Sequence, residues 1–366
     1  MVITLEKKEF SEAVNNVSRF SERKSATLPV LGGIAILAGD AGIKLRATNL
    51  ETGIDVLVPG TITDPGIVVV PAQVLRDICS SFGTAGTLTL EYAGETVVLT
   101  SDNSKSTLKT LPYEDFPTLP LPESPKAVFT LTGADIQKLI TSVVSCASVS
   151  TIRPELASVF ISSEGGVMKA VATDSFRLAE KKISLSGTIP HISILIPAKN
   201  ITEILQVLPE TNIEVALNDH QCAFTWKTGV LTTRLVSGSY PDYTQIIPKT
   251  FISEATVLRK DIENVLKRVA VFSDTFQKIK LRFGATEKKL FLSARNNDIG
   301  ESEDMVVGAV TGEEVELSFN HRYLSAPLSL ISSDSITISA SGIGRAVVMR
   351  GSGDTSFLYL VMPMNQ

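Results

Sequence analysis

The feature that most constrains this chain is an internal repeat with a period of 126 residues. Three segments share one pattern: ITLEKKEFSEAVNNVSRFS from Ile3, FTLTGADIQKLITSVVSCA from Phe129 and ATVLRKDIENVLKRVAVFS from Ala255. Each reads as a short strand running into a helix, and the spacing between starts is 126 both times. A strand-like landmark ending in a turn recurs as KLRATNLET at Lys44, KAVATDSFR at Lys169 and LFLSARNND at Leu290. Another follows as VVVPAQVLRDICSSF, ILIPAKNITEILQVL and LSFNHRYLSAPLSLI, with Pro71, Pro197 and Asn320 in equivalent places.

A unit of roughly 120 residues is too long for a solenoid repeat and matches a whole domain. The expected domains are residues 1–122, 128–248 and 250–366, joined by the proline-bearing stretches LPLPESPK (Leu119 to Lys126) and IIPKTFISE (Ile246 to Glu254). Helical spacing places Phe10, Val14 and Val17, then Ile136, Ile140 and Val143, then Ile262, Leu266 and Val269 on the apolar faces of three helices. Segments such as TLTLEYAGETVVLTS alternate as strands do. Each domain is therefore expected to be α+β, two helices packed on antiparallel sheet. The opposite helix faces carry Lys7, Lys8, Asn15, Arg19, Lys138, Thr141, Ser142, Arg259, Lys260, Lys267 and Arg268, interleaved with acids such as Glu9, Glu12, Asp135 and Glu263. Their plain structural reading is a solvated face.

Composition narrows the function. Hydrophobic residues at 43% and charged residues at 20% of 366 give an ordinary globular balance. No apolar run reaches the roughly 18 residues of a membrane span, and the first ten residues do not read as a signal peptide, so a cytoplasmic protein is expected. Cys79, Cys146 and Cys222 are too scattered for a disulfide framework or a zinc knuckle and read as buried thiols. A net charge of −5 argues against nucleic-acid binding by bulk charge, though a local cationic surface is compatible with an acidic exterior.

At the second repeat the residues become specific. VATDSFRLA (Val171 to Ala179) resembles the VATDGHRLA segment of bacterial DNA sliding clamps, the beta subunit of DNA polymerase III, and the terminal VMPM (Val361 to Met364) resembles that family's tail. TLPVLGGI at Thr27, TLPYEDFPTLP at Thr110, LVSGSYPDYTQIIP at Leu235 and SFNHRYL at Ser318 match further family signatures in the same order. The resemblance spans the whole chain. It implies the DNA clamp fold, a head-to-tail homodimer forming a six-domain ring, helices lining the hole and sheets outside. Domain size agrees: a domain of this length is roughly 35 Å across, and six in a hexagon leave a hole of about one domain width, enough for a duplex.

The resemblance also implies a peptide pocket between the second and third domains, formed by Leu156, Thr173, Ser175, Phe176, Arg177, Leu178, Pro241, Ile246, Ala346, Leu360, Val361, Met362, Pro363 and Met364. Its ligands would be linear motifs of the polymerase III core, the clamp loader, other polymerases and repair proteins. The DNA-facing cations would be Arg23, Lys24, Arg76, Lys138, Lys199, Lys260 and Lys267, meeting phosphates of double-stranded DNA without sequence preference. The chain departs from the family pattern in three places: Ser175 and Phe176 replace a Gly-His pair, Gln245 replaces an arginine, and the tail ends in Asn365 and Gln366 without a cation. No cofactor, metal or catalytic residue is expected. The histidines His191, His220 and His321 have no metal-ligand spacing, and no GxSxG, Walker or HExxH motif occurs. Asp174 and Asp242 read as turn or cap residues, and GSGD at Gly351 as a hairpin turn. The competing readings are an enzyme and a clamp-like scaffold that does not encircle DNA.

Overall fold

A computed structural model describes residues 1–22, 28–83, 85–101, 104–185 and 189–364. Among these, the strands form three sheets of five, eight and twelve strands, and every strand pairing is antiparallel. The chain divides into two compact units, Met1–Gln137 with Lys199–Ser237, and Lys138–Ala198 with Gly238–Gln366.

Each repeat opens as its sequence predicts. The strands Val2–Glu6, Ala127–Thr132 and Ser253–Leu258 run without a loop into the helices Lys7–Val17, Gly133–Thr141 and Arg259–Ala270. In the second of these the Thr132 hydroxyl accepts from the Asp135 amide and donates to its carboxylate, closing the helix start from both sides. Phe10, Val14, Val17, Ile140, Val143 and Val269 are fully buried, and Ile136, Ile262 and Leu266 nearly so. Periodicity therefore identified the core faces. The second strand-to-helix switch falls at Pro71, Pro197 and Asn320, each the last residue of its strand. Proline's fixed φ and missing N–H suit that position, and where Asn320 replaces it the side chain caps the Arg322 amide instead.

Two cations assigned to open helix faces are elsewhere. Lys7 is buried, because it sits where the helix emerges from the sheet. Arg259 donates from Nε to the Ser333 carbonyl and from Nη1 to the Leu328 carbonyl, both at 3.2 Å, and so satisfies backbone acceptors of its own repeat. The thiols are buried as expected, and burial pushes Cys146 up to about 11 and Cys79 and Cys222 up to about 12.

The organising feature of each unit is a strand donated from one repeat to the sheet of the one before. In the first unit Gly229–Arg234 pairs with Thr52–Val58, extending the eight-stranded sheet across the first and second repeats. In the second unit Phe357–Val361 pairs with Arg177–Ser184 and does the same for the second and third. Pairing fixes register, because a slip of one residue would turn every core side chain outward.

The turn at Gly312 closes the long strand Gly300–Gly312 against Ser253–Leu258 with φ at +94°. A Cβ there would overlap the carbonyl oxygen of Ile252, which accepts from the Glu313 amide at 3.0 Å. Gly312→Ala is expected to lower unfolding stability by about 1–3 kcal/mol, read as a shifted urea midpoint with unchanged slope.

Candidate functional site

The family-like segment forms a turn of three residues, Asp174, Ser175 and Phe176, between the strands Val167–Thr173 and Arg177–Ser184. The Thr173 hydroxyl donates to the Arg177 carbonyl at 2.7 Å and accepts from the Ser175 amide at 3.1 Å. Asp174 Oδ1 accepts from the amides of Phe176 and Arg177 at 3.0 and 2.9 Å. These bonds hold Ser175 in the left-handed region, at φ +77°, and leave Phe176 61% exposed. Asp174 is thus a turn residue, as is Asp242, whose carboxylate accepts from the Thr244 hydroxyl at 2.6 Å and from Gln245 Nε2 at 2.9 Å, bonds that hold it below the usual carboxylate range.

Arg177 is the pivot. Its Nε donates to Asp174 Oδ2 at 3.0 Å, its Nη2 to the Ser145 carbonyl at 2.7 Å, and its guanidinium lies 4.7 Å from the centre of the Tyr323 ring. Burial pulls its pKa down, but the Asp174 bond and nearby groups outweigh this and the net shift is upward. A guanidinium committed in this way positions the turn rather than standing free for a ligand.

The donated strand completes the site. Val361 pairs with Arg177 and Leu360 with Leu178, and the ladder continues past the strand end as Met362 N–H donates to the Phe176 carbonyl at 2.8 Å. Met364 N–H then donates to the Ser318 carbonyl at 2.8 Å. Leu178, Leu360 and Ala346 belong to one apolar cluster with Val171, Val348 and Leu358, and Met362 packs against it. Of the pocket residues expected from sequence, the structure therefore gathers Leu178, Ala346, Leu360 and Met362 into one patch. Thr173, Ser175, Phe176, Arg177 and Val361 lie on the same turn and strand pair. Leu156 is buried at the neck of a loop closed by its carbonyl accepting from the Ser148 amide, and Pro363 and Met364 are half-buried. Pro241 and Ile246 sit exposed on the connector.

The connector brings residues not assigned to the pocket from sequence. Tyr240 stacks on Phe160 with ring centres 5.0 Å apart, and Tyr243 meets Tyr240 edge-on. The Tyr243 hydroxyl donates to buried Glu180 at 2.5 Å, and Glu180 also pairs with Lys182 at 2.8 Å. Burial first, and the Glu180 bond second, push the Tyr243 phenol up. Both tyrosines pack against the Leu178 cluster. Their signal was present in LVSGSYPDYTQIIP, where two aromatics three residues apart mark the connector.

The expected DNA-facing cations fall in both units. Lys199 is exposed on the helix Ala198–Leu205 and Arg76 half-buried on Ala72–Ser81, where it donates to Gln73 at 2.8 Å. Lys138, Lys260 and Lys267 are exposed on helices, the last paired with Glu263 at 2.7 Å. Arg23 and Lys24 lie outside the described residues. Among the described residues no cluster of three His, Cys, Asp or Glu side chains could hold a metal, and no helix is long and apolar enough to cross a membrane.

Three models of one family match the chain end to end: the N-terminal domain of the DNA polymerase III beta subunit over residues 1–120, its central domain over 130–242 and its C-terminal domain over 244–365. A beta sliding clamp of Salmonella typhimurium is 27% identical over 344 residues, covering 92% of this chain and 93% of that protein. The beta sliding clamp of Bacillus subtilis is 26% identical over 380 residues, covering 100% and 99%. Among solved structures, the Bacillus subtilis DNA polymerase sliding clamp superposes with a TM-score of 0.94 at 25% identity, covering 100% of this chain and 99% of that one. A Pseudomonas aeruginosa sliding clamp bound to griselimycin superposes with the same score and identity over 100% of both chains. The repeat, the turn at Thr173–Arg177 and these matches agree, and the chain belongs to the DNA polymerase III beta subunit family, the bacterial DNA sliding clamps.

Proposed function

We propose that this chain is a processivity factor of DNA replication. Two copies close head to tail into a six-domain ring around duplex DNA, with domains at 1–122, 128–248 and 250–366. The ring tethers the polymerase III core, and in turn the clamp loader, other polymerases and repair proteins, through the patch around Leu178 and Leu360. It works in the cytoplasm without catalytic chemistry of its own.

The observation that carries the ring is an unfilled strand position. Repeats one and two each receive a donated strand on the strand after their turn. The equivalent strand of repeat three, the stretch Gly300–Val307, pairs on one side with Lys289–Asn296, and among the described residues its other side is free. The equivalent donor of repeat one, Ser104–Lys109, is an edge strand of the five-stranded sheet. An exposed edge is a template for another chain, and Met305 and Val307 on it are 47% and 70% exposed. Pairing Ser104–Lys109 of one copy with Gly300–Val307 of the next uses the joint already built twice within the chain, and a head-to-tail contact that closes yields a ring. Lys138, Lys199, Lys260 and Lys267, with Arg76, would face phosphates weakly, because retention comes from enclosure.

At the patch, an extended peptide would bury Leu or Phe anchors at about 1.5–3 kcal/mol for each fully buried side chain, which supports micromolar binding. Met362 and Met364 can repack around different anchors. Phe176 presents an aromatic face at the rim, so partner preference would follow that ring.

Val307→Asp places a charge on the free edge, and light scattering at micromolar concentration is expected to report one chain where the unaltered protein reports two; an unchanged mass would remove this seam. Deleting Met362 to Gln366 is expected to leave the two-chain mass intact. It should cut affinity for a polymerase-derived peptide by at least about tenfold in a fluorescence titration and shorten primer-extension products, and unchanged affinity would remove the pocket assignment.

A further inference from the structure

The turn at the candidate pocket has a counterpart in the first repeat. Thr48 Oγ1 donates to the Thr52 carbonyl at 2.7 Å and accepts from the Leu50 amide at 3.1 Å, as Thr173 does with Arg177 and Ser175. Asn49 Oδ1 accepts from the amides of Glu51 and Thr52, as Asp174 does from Phe176 and Arg177. Leu50 is left-handed at φ +72° where Ser175 is at +77°. Arg234 N–H donates to the Glu51 carbonyl at 2.8 Å, the bond that Met362 makes to Phe176. A buried carboxylate follows in both, Asp55 held by Arg46 at 2.6 and 2.7 Å, and Glu180 held by Tyr243 and Lys182.

The connectors correspond too. Tyr113, Phe116 and Leu119 precede Tyr240, Tyr243 and Ile246 by 127 residues each. On the strand after the turn, Leu178 in the second repeat stands where the first has Gly53. A Cβ on Gly53 would overlap Cδ2 of Leu119, so the connector's own leucine fills the space that a side chain at this position would take. In the second repeat Leu178 fills it from the sheet, and Ile246 is left 49% exposed. Phe116 is buried upstream of Leu119, and Lys126 N–H bonds the Leu217 carbonyl downstream, but among the described residues no backbone hydrogen bond holds Pro117–Leu121.

We infer that the first repeat carries a second peptide groove of the same build, held shut by Leu119 acting as an intramolecular ligand, and that the residue at position 53 or 178 decides whether the connector closes the groove. Its ligand class is an extended, proline-flanked segment with a leucine anchor, which is what the connector supplies to itself. This extends the pocket reading above and rests on it for the nature of the open site.

The test counts sites by isothermal titration with a synthetic peptide copying residues 114–123, EDFPTLPLPE. Leu119→Ala, which removes the plug without adding bulk, is expected to gain one site per chain over the unaltered protein, while Gly53→Leu, whose side chain takes the seat of Leu119, is expected to gain none. Gly53→Leu should instead speed proteolytic cleavage within 117–125 by about tenfold, since cleavage follows the population of the released connector. A thermal melt checks that each variant is folded. An unchanged number of sites in folded Leu119→Ala, or a site gained in Gly53→Leu, overturns the inference, whether or not the connector is cleaved faster. An unaltered chain that binds nothing while Leu119→Ala binds one peptide would keep the closed groove and remove the open pocket instead, so the two readings fail separately.

Discussion

Much of this molecule depends on one interaction, the antiparallel pairing of a repeat's last strand with the strand after the turn in the repeat before it. Gly229–Arg234 on Thr52–Val58 and Phe357–Val361 on Arg177–Ser184 are the two instances. Each satisfies a row of backbone groups that would otherwise form a sheet edge, and each fixes the register in which apolar side chains of two repeats meet. The proposed peptide patch lies at such a joint. The turn residues come from one repeat and the tail from the next, so the patch exists only when both are folded and paired.

That arrangement assigns distinct work to residues that look alike in a motif. Arg177 stands in the family-like segment, yet its donors go to Asp174 and Ser145 and its face to Tyr323, so it holds the turn. Phe176, beside it, is held by backbone bonds at both the amide and the carbonyl and offers its ring to solvent. A rigid backbone carrying an exposed aromatic loses little conformational freedom on binding, which favours recognition of short segments. The connectors add the remaining wall, latched by Tyr243 to Glu180 in one case and by Phe116 in the apolar cluster of Val30, Ala35 and Val69 in the other.

The sequence was most informative where structure follows from local period. The helix faces through Phe10, Ile136 and Ile262, the strand-to-helix switches at Pro71, Pro197 and Asn320, and the turn roles of Asp174 and Asp242 could be read because each depends on neighbours a few residues away. What could not be read depends on pairing between distant strands. Nothing near Arg259 in the chain announces that Ser333 and Leu328 will present carbonyls to it, and nothing near Lys7 announces its burial. The seat of Leu119 against Gly53 is of the same kind, since it requires the connector to fold back over a strand more than sixty residues earlier. The family resemblance named the residues of the proposed pocket, and the hydrogen bonds separate those that hold the turn from those left facing outward.

The central claim is that enclosure, and not adhesion, keeps this protein on DNA, in keeping with its net charge of −5. The most direct measurement is gel filtration of protein loaded by a clamp loader onto nicked circular duplex, run in ~1 M salt, where screening acts within about 3 Å. The account predicts that the protein elutes with the circle and is released once a single cut makes the DNA linear. Loss from the intact circle at that salt concentration, or retention on the linear molecule, would contradict it.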